Sequence, residues 1–252
     1  MSELKYKFMK LHFTLFFVLI TFFPSLAQDK PEDTEVWEPE PVVVSPGLDN
    51  SPPSDAIVLL SEGISKWNHA NGSDCQWELK NGILTVKKGT GDVFSSVTHG
   101  DIQLHLEWRA PKADPKLTGQ GRGNSGVFFQ TKYEIQVLDS YNNRTYSNGQ
   151  AGSIYKQHIP LANVNRPPME WQTYDIIYLA PRFNEDGSLQ KPGYVTAFLN
   201  GVLVLYNVEL KGTTEYIGAP KYSAHGELPL KLQDHGNPVS YRNIWFRKIN
   251  IE

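Results

Sequence analysis

The sequence predicts an all-β protein, an antiparallel two-sheet jelly-roll sandwich, and three observations lead there. Asn81-Gly82 and Asn200-Gly201 each separate two apolar runs, and Asn-Gly supplies the positive φ angles of a type I′ hairpin turn. Runs such as 102–109 and 133–138 alternate apolar and polar residues with the period of a strand. No amphipathic helix longer than two turns can be traced, in a chain of 252 residues with 20 Gly, 17 Pro and three Met.

The N-terminus reads as an address. Lys5, Lys7 and Lys10 precede an apolar run over 11–23, followed by Ser25-Leu26-Ala27. A basic start, a short apolar stretch and a small-x-small exit make a secretory signal over 1–27, removed after Ala27. The run is shorter than the ~20 residues of a spanning helix. The expected mature chain is therefore exported (periplasmic, cell-surface or secreted) and has no membrane span after signal removal. Residues 28–55 hold six Pro, eight acidic residues and one Lys, the composition of a flexible tether. A single domain is expected over 56–252.

Charge and cysteine content exclude several classes. The chain carries −3 overall; the signal contributes +2 and the tether −7, so the domain carries +2. No basic surface for nucleic acid is indicated. Cys75 is the only cysteine, which excludes an intrachain disulfide and a cysteine-based zinc cluster. The seven His show no His-x-x-x-His spacing, and no cofactor is evident.

The strands follow in order. The two Asn-Gly turns join 76–80 to 83–86 and 194–199 to 202–206, and further strands are expected at 102–109, 124–130, 133–138, 172–180, 228–234 and 239–250. In 102–109, Leu104, Leu106 and Trp108 share one face; Gln103, His105, Glu107 and Arg109 share the other. In 133–138, Ile135 and Val137 face the core while Glu134 and Gln136 face away. Leu230 and Leu232 alternate with Lys231, Gln233 and His235. Three strands thus offer long polar rows, expected to converge on one hollow sheet face as a small-molecule site. Gly121, Gly123 and Gly126 lack the following helix and Lys-Ser/Thr pair of a phosphate loop, and read as a turn bringing backbone close to a ligand or neighbouring strand.

Taken together, Asn124-Ser125-Gly126-Val127-Phe128-Phe129, the 133–140 run ending in Leu138-Asp139-Ser140, Gly149-Gln150-Ala151-Gly152-Ser153-Ile154-Tyr155, Glu170-Trp171-Gln172-Thr173, Ala180-Pro181-Arg182-Phe183, Leu199-Asn200-Gly201-Val202, Gln233-Asp234-His235-Gly236 and Tyr241-Arg242-Asn243-Ile244-Trp245 resemble the 3-keto-disaccharide hydrolase domain family over roughly 57–250. The resemblance implies a concanavalin-A-like jelly roll, export from a bacterial cell, and cleavage of glycosides whose sugar carries a ketone at C3. Two positions depart from the family pattern: Phe198 stands where a His precedes the Asn200-Gly201 turn, and Lys156 where a Gly follows Ile154-Tyr155.

The implied chemistry asks for particular groups. A C3 ketone acidifies the hydrogen on C2, the enolate expels the C1 oxygen, and water adds back. One base, a cation or donors for the enolate oxygen, and an acid for the leaving group suffice. Glu134 or His235 is the candidate base, with Arg109 or Arg242 stabilising the oxyanion. Glu107, Gln136 and Gln233 orient sugar hydroxyls, with Asn124 and Tyr155 also on the substrate. Asp139 holds a His or helps bind a divalent cation such as calcium. Trp108 alternates with the core row and is expected to pack. A saccharide or modified glycoside is the expected partner; the oligomeric state is not legible. Two other readings stay open: a non-catalytic, lectin-like module, and a retaining glucanase using Glu134 and Asp139. The latter needs carboxyl groups about 5–5.5 Å apart, and without a bulge Asp139 points to the opposite face from Glu134.

Overall fold

The computed structural model describes residues 30–48 and 51–249; the signal reading of 1–27 lies outside them. Two units are distinguished, Met1–Val43 and Val44–Glu252. Among the described residues of the first, a 3-10 turn spans Pro31–Thr34 and every residue is exposed. Among the described residues no helix is long and apolar enough to cross a membrane.

Among its described residues the second unit holds sixteen strands. They are β1 (Ile57–Ser61), β2 (Ile64–Ser65), β3 (Trp67–His69), β4 (Glu78–Lys80), β5 (Ile83–Thr85), β6 (Val93–His99), β7 (Ile102–Arg109) and β8 (Ser125–Phe129), then β9 (Tyr133–Val137), β10 (Gln172–Leu179), β11 (Arg182–Phe183), β12 (Leu189–Lys191), β13 (Tyr194–Leu199), β14 (Val202–Glu209), β15 (Leu228–Leu232) and β16 (Ser240–Lys248). A nine-stranded sheet runs β14-β13-β10-β7-β16-β1-β2, with β5 also on β16 and β4 on β5. A five-stranded sheet runs β3-β6-β15-β8-β9, and β11 pairs with β12. All these pairings are antiparallel, the sandwich expected from the sequence.

The turn chemistry explains both tight hairpins. Asn81 and Gly82 have φ of 50° and 71°, and Asn200 and Gly201 have 53° and 78°, the left-handed pair that joins β4 to β5 and β13 to β14. The inward rows then meet. Leu104, Leu106 and Trp108 of β7 and Tyr174 and Ile176 of β10 form the core with Val127, Phe129, Ile135, Val137, Leu230 and Leu232 of the smaller sheet. Each such burial stabilises by about 1.5–3 kcal/mol, and Trp108 packs as its alternation predicted.

Strand β6 was not anticipated, and its chemistry shows why. Ser95 sits at an inward position, where its hydroxyl donates to the Val97 carbonyl (2.7 Å) and accepts from the Leu230 amide (3.0 Å). A buried serine satisfied by a local irregularity breaks the apolar alternation on which a sequence reading relies.

One expectation is overturned at the level of topology. Strand β7 lies between β10 and β16 in the nine-stranded sheet, whereas β9 and β15 belong to the five-stranded one. Their outward rows point to opposite sides of the sandwich, so the three polar rows do not converge.

Candidate active site

The site is built on the outward face of the smaller sheet. Strands β8 and β9 pair without a register shift, Phe128 opposite Glu134 and Gly126 opposite Gln136. Period-two alternation therefore puts Glu134 and Gln136 side by side on that face. The Glu134 amide donates to Thr214 Oγ1 (2.9 Å), and its carbonyl accepts from the Tyr155 amide (3.1 Å). The Gln136 amide donates to the Ser153 carbonyl (3.0 Å). Segments 152–155 and 212–214 thus cover the free edge of β9 and carry Tyr155 and Thr214 to the face.

These groups line a cavity of about 260 Å³ together with Asn124, Phe128, Tyr216, Gln233 and His235. Six residues expected at the site therefore share it: Glu134, Gln136, Asn124, Tyr155, Gln233 and His235. Glu134 is 5% exposed. Burial raises its pKa to about 8, with the positive charge of Lys231 partly opposing the rise. His235 sits exposed at the rim.

The amides are oriented. Gln136 Nε2 donates to Gln120 Oε1 (3.0 Å) and faces Asn124 Oδ1 at 3.4 Å, while Asn124 Nδ2 donates to the Gln120 carbonyl (2.8 Å). This leaves Gln136 Oε1 buried with no hydrogen-bond partner, and Gln233 Oε1 is in the same condition. Buried acceptors without partners are costly in a folded protein, and both oxygens are shielded from solvent, so a ligand hydroxyl reaches them only when the Gln136 or Gln233 amide turns toward the cavity. The Tyr146 and Tyr155 hydroxyls lie 2.6 Å apart, one donating to the other. If Tyr146 donates, the Tyr155 proton is left for a ligand oxygen. Burial raises the pKa of both phenols.

Four expected site residues lie elsewhere. Glu107 and Arg242 face outward on the nine-stranded sheet as a bonded pair, with Arg242 Nε 2.7 Å and an Nη 2.6 Å from Glu107 Oε2. Arg109 and Arg242 both stack on Trp171, their guanidinium carbons 4.7 and 4.1 Å from its ring centre. Neither arginine can serve an oxyanion in the Glu134 cavity, and Glu107 cannot orient a sugar there. Asp139 is buried and accepts from Arg122 Nε at 3.0 Å and from the Tyr141 amide at 3.2 Å. It lines a different cavity, beside Arg122 and Gly236. Asp139 lies two residues past the end of β9 and lines no cavity with Glu134, so the two-carboxylate arrangement is absent. Among the described residues no three His, Cys, Asp or Glu side chains group as metal ligands.

The sequence reading missed three cavity residues and one neighbour. Phe128 was predictable from its place between the inward Val127 and Phe129. Lys231 belongs to the outward polar row of β15; its ammonium lies 3.6 Å from the centre of the Phe128 ring and 3.2 Å from Asp92. Thr214 and Tyr216 sit in a loop with no periodic signal. Of the two departures from the family pattern, Phe198 lies on the nine-stranded sheet, away from the cavity. Lys156, with φ of 58°, places its ammonium 4.3 Å from the Tyr216 ring centre and 2.6 Å from the Tyr216 carbonyl.

Residues 55–247 match the 3-keto-alpha-glucoside-1,2-lyase-like domain family. A candidate glycosyl hydrolase from Parabacteroides distasonis is 47% identical, covering 88% of this chain and 98% of its own, with a TM-score of 0.84. A second from the same organism is 20% identical over 78% of this chain and 94% of its own, with a TM-score of 0.57, a likeness of fold. Among curated proteins no sequence matches the chain.

Proposed function

Because the chain belongs to the 3-keto-alpha-glucoside-1,2-lyase-like domain family, we propose that it is an exported carbohydrate-active enzyme that cleaves 3-keto glycosides, with Glu134 as the base. What carries the reading is the Glu134 cavity itself: a buried carboxyl whose pKa sits at about 8, beside two amide oxygens that lack donors. Sugar hydroxyls are donors of the right kind.

In this reading Glu134 takes the C2 proton and the C2–H electron pair enters the enolate of the C3 ketone. The enolate collapses with cleavage of the C1–O bond, and the departing oxygen is protonated from Tyr155 or His235. Water then adds at C1 of the enone while C2 regains a proton, giving net hydrolysis. A base with a pKa close to the working pH fits a C–H acid activated by a ketone. Lys231 is the cation whose field reaches the Glu134 carboxyl. Gln136 and Gln233 accept from hydroxyls of the sugar.

The test is incubation with 3-keto trehalose and 3-keto lactose. Release of free sugar by the native protein, reduced by about 10²–10⁴-fold in Glu134→Gln, supports the proposal. Saturable binding without product points instead to a lectin-like module.

A further inference from the structure

The face that carries Glu134 does not end at its cavity. One cross-strand row crosses all five strands: Asn68 pairs with Phe94, Phe94 with Lys231, Lys231 with Phe128, and Phe128 with Glu134. Three strand spacings separate Glu134 from Phe94, about 14 Å, a span on the scale of a short oligosaccharide. Phe94 lines a second cavity, of about 550 Å³, with His69, Asn71, Gln76, Thr90 and Asp92.

The two cavities share a wall made of direct contacts. Asp92 of the second pairs with Lys231 (3.2 Å), whose ammonium lies over the ring of Phe128 in the first. Asp92 Oδ1 also accepts from the Asp234 amide (2.9 Å), next to His235 at the rim of the Glu134 cavity. The second cavity is preformed. The Gln76 amide donates to His69 Nε2 (3.0 Å), so Nδ1 carries the proton and donates to the Asp92 carbonyl (3.0 Å). The imidazole ties the 70–76 loop to the strand end.

An aromatic ring bordered by exposed amides and a carboxylate is the chemistry that holds a sugar ring, apolar face on the aromatic and hydroxyls on the polar groups. We infer that the cavity of Asn71, Gln76, Asp92 and Phe94 is a second saccharide subsite, which takes the part of the glycoside beyond the reacting ring. This rests on the carbohydrate reading of the Glu134 cavity. It makes the preferred substrate an oligosaccharide lying across the sheet from β9 to β3.

The probes are methyl 3-keto-α-glucoside, 3-keto maltose and 3-keto maltotriose. The native protein is expected to show about a tenfold lower KM for the longest than for the methyl glycoside, the scale of one added ring contact. Phe94→Ala and the exposed Gln76→Ala each lose that gain and leave kcat/KM on the methyl glycoside unchanged. A KM independent of chain length, or a length dependence that survives both substitutions, overturns the subsite. If no probe is cleaved, titration calorimetry with maltotriose and glucose decides. Tighter maltotriose binding that depends on Phe94 keeps the subsite while the cleavage reading falls, and equal or absent binding removes the subsite.

Discussion

The carboxylate of Glu134 occupies space that exists only because residue 126 is glycine. A Cβ on Gly126 would lie 2.5 Å from Glu134 Oε1 and 2.8 Å from the edge of the Phe128 ring. Gly126 lacks the left-handed backbone that would demand glycine for its own sake, so its role is clearance for the base. Gly126→Ala is expected to fold, because the atoms it meets end flexible side chains, but to displace the carboxyl by a fraction of an ångström. Misplacement on that scale lowers kcat by up to about 10²-fold. Turnover of a 3-keto glycoside and the melting temperature, measured together, check this; unchanged turnover removes the clearance role.

Glu134 should set the acid limb of the pH profile. With a pKa at about 8 in the free protein, kcat/KM falls tenfold per pH unit below that value, since the base must be ionised. Lys231→Met removes a charge that holds the pKa down, so the limb moves to higher pH. A profile that stays in place in that variant would show that another group titrates.

The same shift has a consequence for stability. The folded-state pKa of Glu134 lies above its ordinary value of 4.5, so its contribution is fully present below about pH 4.5 and is lost as pH rises through about 8. Glu134→Gln, which never ionises, is expected to be more stable than the native protein at pH 8, with the gap closing towards pH 4.5. Denaturant melts at the two pH values test this.

The opposite side of the sandwich carries a charge network that serves the fold. His105 Nδ1 lies 2.7 Å from Asp175 Oδ1, and its ring stacks on Trp245 with centres 5.0 Å apart. Asn243 Nδ2 lies 3.2 Å from His105 Nε2 and donates to Glu107 Oε1 (3.1 Å). Burial opposes charge on His105, but the hydrogen bond to Asp175 and the charge of Glu107, whose Oε1 lies 4.0 Å from Nε2, outweigh it and hold the pKa at about 9. Burial likewise opposes charge on Glu107, and the nearby His105 together with hydrogen bonds from Asn243 and Arg242 brings it to about 2. The His105 contribution is lost as pH rises through about 9, and that of Glu107 as pH falls through about 2, so both are full between about pH 4.5 and 6.5. His105→Leu should cost about 1.5–3 kcal/mol at pH 6, the scale of a hydrogen bond to a charged group, less above pH 9, with kcat unchanged.

Asp139→Asn separates the two roles that sequence and structure give that residue. Loss of a buried partner of Arg122 predicts destabilisation of about 3 kcal/mol with turnover per folded molecule unchanged. A large fall in kcat at full stability would return Asp139 to the reaction.

Much of this was legible without coordinates. The β class, the hairpins at Asn81-Gly82 and Asn200-Gly201 and the sorting of each strand into inward and outward rows follow from turn chemistry and the two-residue period, which are local properties of the chain. Glu134, Gln136, Gln233 and His235 meet because β8, β9 and β15 are neighbours in one sheet, which no local property of the chain decides. What local pattern could not assign is sheet membership. Strand β7 joins β10 and β16 through pairings with residues distant in the chain, and nothing in its alternation distinguishes that sheet from the other. Arg109, Glu107 and Arg242 therefore carry polar chemistry of the expected kind on the wrong side. The loop placing Thr214 and Tyr216, and the buried Ser95 that disguises β6, were likewise settled only by packing, where a long-range hydrogen bond outweighs the local preference of the residue.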